Sequence, residues 1–250
     1  METQTALLFL EQQGLSETCR TYAPRLRKIF TDCFSAQPHD EIFIVGEEGE
    51  HGRQVSALLA GTCYHAAQLL GLRSRLFIQG KASSHALQEM DLGEFILSLP
   101  PRSILLFAVS RHISGLLKKL GTNLRKYCQE RRIRHSSTTS LENLSNAQFR
   151  VLVSTLDVDY GLMKRQHERV KELLNATRLV YITTKAGTKL TVDVSRHRAI
   201  SADGIFAEYG QGGNLPGGEV YLAPKKDLVE GKVVIDGSSR NAKGTVITSR

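Results

Sequence analysis

The chain has 250 residues, 41% of them hydrophobic, with no tryptophan and few aromatics, which excludes a disordered or fibrous protein and leaves room for one large or two modest domains. No stretch approaches the roughly 18 apolar residues of a membrane span, and no secretory leader is visible, so no membrane partner is expected. Lys and Arg outnumber Asp and Glu by 33 to 25, but the excess clusters only at Lys118-Lys119, Arg125-Lys126 and Arg131-Arg132-Ile133-Arg134. Without interleaved aromatics a solvated face outweighs a nucleic-acid footprint there.

In chain order, Thr5 to Phe34 places Leu8, Leu10, Leu15, Leu26, Ile29 and Phe30 at spacings that fit one or two helices. Apolar runs then alternate with helical patterns: strand Ile42 to Val45, helix Arg53 to Leu70, strand Ser74 to Ile78, helix Ala86 to Leu97, strand Ser103 to Val109, helix Ile113 to Glu130 and strand Arg132 to His135. Such alternation predicts a parallel sheet with right-handed crossovers. After Tyr160 a charged helix from Met163 to Ala176 leads into Leu179 to Thr184, a β-branched run. A turn at Lys185 to Thr188 separates it from Lys189 to Val194, and glycine-rich turns at 210–213, 217–218 and 237 divide further short strands. The fold class expected is α/β: an open parallel-sheet domain over residues 1–160, followed by the first part of a β-rich α+β domain over 161–250.

Cys19, Cys33, Cys63 and Cys128 show no Cys-x-x-Cys spacing and read as buried thiols, which points to a reducing, cytoplasmic location. The loop Gly46-Glu47-Glu48-Gly49-Glu50-His51-Gly52 stands where a phosphate loop would follow a first strand. Its glutamates repel phosphate and its glycine spacing departs from the dinucleotide fingerprint. A metal held by Glu48, Glu50 and His51 is outweighed by a solvated loop whose acids favour a helix N-terminus. No Gly-x-Ser-x-Gly elbow occurs, and no catalytic residue is assigned. His197 is the histidine to watch, because it lies closest in sequence to the next feature.

That feature is Gly213-Asn214-Leu215-Pro216-Gly217-Gly218-Glu219-Val220-Tyr221-Leu222-Ala223-Pro224, which delivers one carboxylate into the start of an apolar strand on a turn pinned by proline and glycine. From the residues alone, Glu219 either caps its own turn, pairs with Lys225 or Lys226, or ligates a metal. The first two are favoured by about two to one.

The wording of the loop resembles the aminopeptidase T and aminopeptidase S family of metallopeptidases, whose signature is Asn-(Leu/Ile/Met)-Pro-x-x-Glu-(Val/Ile)-(Phe/Tyr)-x-x-Pro. Asp159-Tyr160, Ile182-Thr183-Thr184, Gly187-Thr188-Lys189-Leu190, Glu230-Gly231 and Asp236-Gly237-Ser238 extend the resemblance. It implies a cytoplasmic, dimeric metallopeptidase, a hydrolase that removes N-terminal residues from peptide substrates with zinc, cobalt or magnesium ions, and it makes Glu219 a metal ligand. The family's other ligands would fall past Arg250, so the chain is expected to be a fragment or a degenerate relative, inactive alone and with no metal of its own. Two alternatives stand beside the aminopeptidase. One is a non-catalytic binding or assembly module on the same scaffold, and the other is a relative of the iron-dependent dioxygenases that open hydroxylated pyridine rings.

Overall fold

Residues 1–80, 92–108, 123–195, 197–224, 226–240 and 246–248 are described by a computed structural model. Strand β1 (Glu41–Glu47) has five consecutive buried residues between its terminal glutamates, so neither face can be given to water. A run apolar on both faces suits an inner strand of a parallel sheet. It pairs in parallel with β2 (Arg73–Gln79) on one side and β3 (Ile104–Ala108) on the other. Beyond β3 lie β4 (Arg134–Thr138) and then β8 (Gly212–Asn214), both parallel, giving the order β2-β1-β3-β4-β8. The three parallel strands expected near 42–45, 74–78 and 103–109 are all present.

Helices cover both faces of this sheet. α1 (Thr3–Gln12), α2 (Ser16–Lys28) and α3 (Val55–Leu69) pack on one, and α3 is buried along most of its length, with Ala57, Ala60, Gly61 and Ala66 keeping it thin enough for α2 to lie against it. A π-helical turn at Ile29–Cys33 extends α2, and α6 (Phe149–Leu156) sits beside α2 and α3 through Phe149, Leu152, Val153 and Leu156. The opposite face carries α4, whose described part is residues 92–97, and α5 (Leu124–Glu130). There Phe43, Phe77, Phe95, Leu105, Phe107, Tyr127 and Ile133 form a second core layer. Each such fully buried side chain contributes about 1.5–3 kcal/mol of transfer free energy. The expected helices Ala86 to Leu97 and Ile113 to Glu130 fall partly outside the described residues, as do Lys118 and Lys119.

The chain divides into two compact units. The first comprises Met1–Gly161 and Gly204–Gly217, and the second comprises Leu162–Asp203 and Gly218–Arg250. Strand β8 therefore returns to the first unit from late in the sequence. Its glycines are needed for close approach: a Cβ on Gly212 would stand 2.1 Å from the imidazole of His135, which is buried in β4. Sequence reasoning gave residues 210–213 to a turn, because two glycines carry no strand periodicity. It also began the fourth strand two residues early. Arg132 instead adopts φ +59 and closes α5, with the Ile133 amide donating to the Cys128 carbonyl and the Arg132 amide to that of Gln129.

A buried ion pair locks the sheet at the N-terminal ends of its strands. Arg134, at the head of β4, donates to Asp40 Oδ1 at 2.6 Å and to the Phe34 carbonyl at 2.7 Å, and Asp40 Oδ2 accepts from the Gln37 amide at 2.7 Å. Both side chains are almost fully buried, at 4% and 3% exposure.

The second unit is built on α7 (Tyr160–Ala176), which begins as the first unit ends, with small antiparallel sheets following. β5 (Leu179–Thr183), β6 (Lys189–Asp193) and β10 (Val229–Lys232) form one in the order β10-β6-β5. β7 (Ile200–Ala202) pairs with β9 (Glu219–Tyr221), and β11 (Ser238–Arg240) with β12 (Val246–Thr248). The α/β fold class is thus observed, with the β-rich portion antiparallel. Among the described residues no helix is long and apolar enough to cross a membrane.

Candidate functional site

Glu219 opens β9, directly after the turn that made it conspicuous. The Leu215–Pro216 peptide is cis, Gly218 adopts φ +132, and its amide donates to the Ala202 carbonyl at 2.8 Å. Only glycine enters that region of backbone space without strain. The register then sets Glu219 opposite Ala202, Val220 opposite Ser201 and Tyr221 opposite Ile200. Glu219 is exposed to solvent, and its carboxylate forms no ion pair or hydrogen bond among the described residues.

On the other face of this ribbon lies a polar chain that sequence reasoning missed. Ser201 Oγ donates to Asp203 Oδ2 at 3.2 Å, and His167 Nδ1, from α7, stands 3.0 Å from the same Oγ. Because the hydroxyl proton is directed at the carboxylate, Nδ1 carries its own proton and donates to Oγ. His167 is buried. The serine therefore sits between acid and imidazole, whereas a nucleophilic triad places histidine in the middle. The available signal was the Ser201-x-Asp203 spacing, since alternation along β7, carried one residue past its end, gives both residues one face. The same alternation puts Glu219 beside Ala202, away from Ser201 and Asp203, so these groups do not converge on one point.

His197 is half-buried, its Nε2 is enclosed without a hydrogen-bond partner, and no hydrogen bond links it to Glu219 among the described residues. The loop after β1 closes on a backbone β-bridge between Glu50 and Arg53, with the Arg53 amide donating to the Glu50 carbonyl, and among the described residues its acids and His51 do not gather as a metal group. Among the described residues, no three His, Cys, Asp or Glu side chains come together as a metal ion requires. By themselves these residues do not fit a metal. All four cysteines are buried and none is in a disulfide. Burial pushes the Cys19 thiol up to about 11 and that of Cys128 to about 12, and raises Cys63 further, which makes each a poor nucleophile or ligand.

Comparison with known proteins favours one of the enzyme readings over the other. Residues 153–243 match a family model, NicX, described as 2,5-dihydroxypyridine 5,6-dioxygenase. The match takes in α7, the His167–Ser201–Asp203 chain and Glu219. Among solved structures, the chain is similar to a 2,5-dihydroxypyridine dioxygenase from Pseudomonas putida KT2440, with a TM-score of 0.55 at 12% sequence identity. The similarity covers 84% of this chain and 57% of that one, so this chain spans little more than half the length of its structural neighbour. At that identity the likeness shows the fold alone. No curated protein matches the sequence.

These findings overturn the resemblance to aminopeptidases T and S, and with it the hydrolase and protease readings. The family model and the structural neighbour are both dioxygenases. The physical reason lies in the loop itself. The fixed residues of its signature include Leu215, which is buried, and Pro216, whose ring restricts the backbone of the turn into β9, so they mark a structural element rather than a reaction. Zinc, cobalt and magnesium lose their support along with the peptidase.

Proposed function

We propose that this chain works as a relative of the ring-opening dioxygenases of hydroxylated pyridines, and that Glu219 is a carboxylate it contributes toward a metal ion. The family match over residues 153–243, which contains Glu219 on its glycine-hinged strand, carries the reading. An exposed carboxylate with no cationic partner among the described residues is available to a ligand, and a hard oxygen donor suits a redox-active divalent ion such as ferrous iron. One carboxylate cannot hold such an ion. The further ligands that this reading requires come from outside the described residues, and no catalytic step is assigned to the residues within them. The His167–Ser201–Asp203 chain has a positioning role here: the His167–Ser201 hydrogen bond ties α7 to the ribbon whose other strand begins at Glu219, and Asp203 orients the serine hydroxyl.

The test uses the protein as its gene encodes it, purified without oxygen and supplied with ferrous iron. Iron retained after desalting is measured first, and then oxygen uptake and loss of ring absorbance with 2,5-dihydroxypyridine. The expected result is tight iron and ring opening, with Glu219→Gln lowering iron affinity by about tenfold or more. Ring opening with unchanged iron affinity in Glu219→Gln would remove Glu219 from the site while leaving the dioxygenase reading intact. Absence of both iron and turnover in the parent protein would overturn the reading in favour of a binding module.

A further inference from the structure

Three turns at the N-terminal ends of neighbouring strands bring to one aromatic ring two cations that have no carboxylate partner among the described residues. Arg102 lies two residues before β3, Arg132 two residues before β4, and Tyr209 in the turn that leads to β8; these three strands are adjacent in the sheet. The register pairs Ile104 with Arg134, which sets Arg102 beside Arg132, and the Arg102 amide donates to the Arg131 carbonyl at 3.2 Å. Both guanidiniums reach the half-exposed ring of Tyr209, at 5.6 and 5.5 Å from its centroid.

The surroundings do not neutralise them. Arg134, 5.0 Å from the same ring, is matched by Asp40, and Glu130 pairs with Lys126. Among the described residues neither Arg102 nor Arg132 has a carboxylate within ion-pair distance, and the nearby Glu208 pairs with neither. Two like charges sharing one ring repel each other, and both side chains are exposed at their residues' level. The backbone adds a second, independent sign. Arg102 and Arg132 both sit in the left-handed region, at φ +69 and +59, where glycine is the favoured residue. Strained non-glycine residues persist where their side chains are needed.

We propose that Arg102, Arg132 and the ring of Tyr209 form a binding site for a phosphate group, free or as a phosphomonoester. Two guanidinium forks offer planar pairs of donors that match phosphate oxygens. Their charge of two, uncompensated among the described residues, equals that of a phosphate dianion, whereas a single carboxylate would leave one cation unmatched. The site lies at the N-terminal edge of the sheet and involves neither Glu219 nor the residues of the proposed dioxygenase centre, so it stands or falls separately from that reading.

Calorimetric titration of the full chain at low ionic strength tests the proposal, with inorganic phosphate and glycerol 3-phosphate as probes and sodium chloride of matched ionic strength as the control. Saturable binding of either probe is expected, and tighter binding of glycerol 3-phosphate would identify an ester as the better ligand. Arg102→Gly combined with Arg132→Gly should weaken binding by about tenfold or more, with the melting temperature unchanged or higher because glycine relieves both turns. No saturable heat above the chloride control would overturn the proposal, and this outcome needs no variant. Undiminished affinity in the double variant would also overturn it. So would a clear fall in its melting temperature, since that would assign the arginines to stacking alone.

Discussion

Removing the Asp40 carboxylate should be among the most damaging single changes in the first unit. Asp40 precedes β1 and Arg134 opens β4, with β3 between them, so the pair spans two strand spacings, about 10 Å. It ties together strands that share no hydrogen bonds. Asp40→Ala leaves a guanidinium almost fully buried, with only the Phe34 carbonyl and the face of Tyr209 for company. Breaking one side of a buried pair costs about 3–5 kcal/mol. Asp40→Asn, which keeps an acceptor, should fall at the lower end of that range. For a chain of this length each kcal/mol lowers the melting temperature by about 2–4 °C, so a fall of roughly 6–20 °C is expected for Asp40→Ala. Thermal unfolding followed by far-ultraviolet circular dichroism reads it. Pairing Asp40→Leu with Arg134→Met should recover most of the loss, because a well-packed apolar pair often matches a buried ion pair. A melting temperature within about 2 °C of the parent for Asp40→Ala would refute the reasoning, as it would mean that water or another acid already satisfies Arg134.

Burial holds His135 below the ordinary histidine value of 6.5, and His65 shifts the same way through burial and the charge of Arg20. The unfolded chain therefore binds protons first: stability is complete above about pH 6.5 and declines as pH falls through that value toward the folded-state value. His135→Gln should flatten this acid arm in denaturant titrations, and an unaltered slope would show that the imidazole is solvated. For the four buried thiols, an aromatic disulfide reagent at mildly alkaline pH should find almost no reaction in the folded protein and four equivalents after denaturation. Rapid titration of any one of them in the native state would contradict the burial described.

The parallel strands were legible because burial on both faces writes an unbroken apolar run into the chain, as in Ile42 to Val45, and because helices of ordinary length separate such runs. The antiparallel pair β5 and β6 was equally clear, since the β-branched run from Leu179 and the turn at Lys185 to Thr188 follow local rules. β8 was not visible. Its strand character comes from pairing with β4 and from the room that Gly212 leaves for His135, and both are properties of a neighbour remote in sequence. The position of Glu219 at the head of a strand followed from the glycine and proline before it, but the chemistry did not. The residues of that turn are dictated by backbone geometry, so the aminopeptidase reading and the dioxygenase reading both fit them. His167, Ser201 and Asp203 were hidden for a related reason, because their meeting depends on how α7 lies along the ribbon.

The late return of residues 204–217 bears on how the protein is made. When the ribosome has released residue 161, the parallel sheet lacks β8, and β4 presents an open edge of amides and carbonyls. Residues 162–203 must be synthesised before that edge can close, an interval on the order of seconds at ordinary elongation rates. Phe206, Tyr209 and Leu215 arrive in the same late segment, so the nascent first unit waits for its last strand and also for the ring on which Arg102, Arg132 and Arg134 converge. A nascent chain stalled within that interval would expose both the strand edge and an uncovered cluster of arginines, a combination suited to capture by chaperones or to misassembly with a second growing chain.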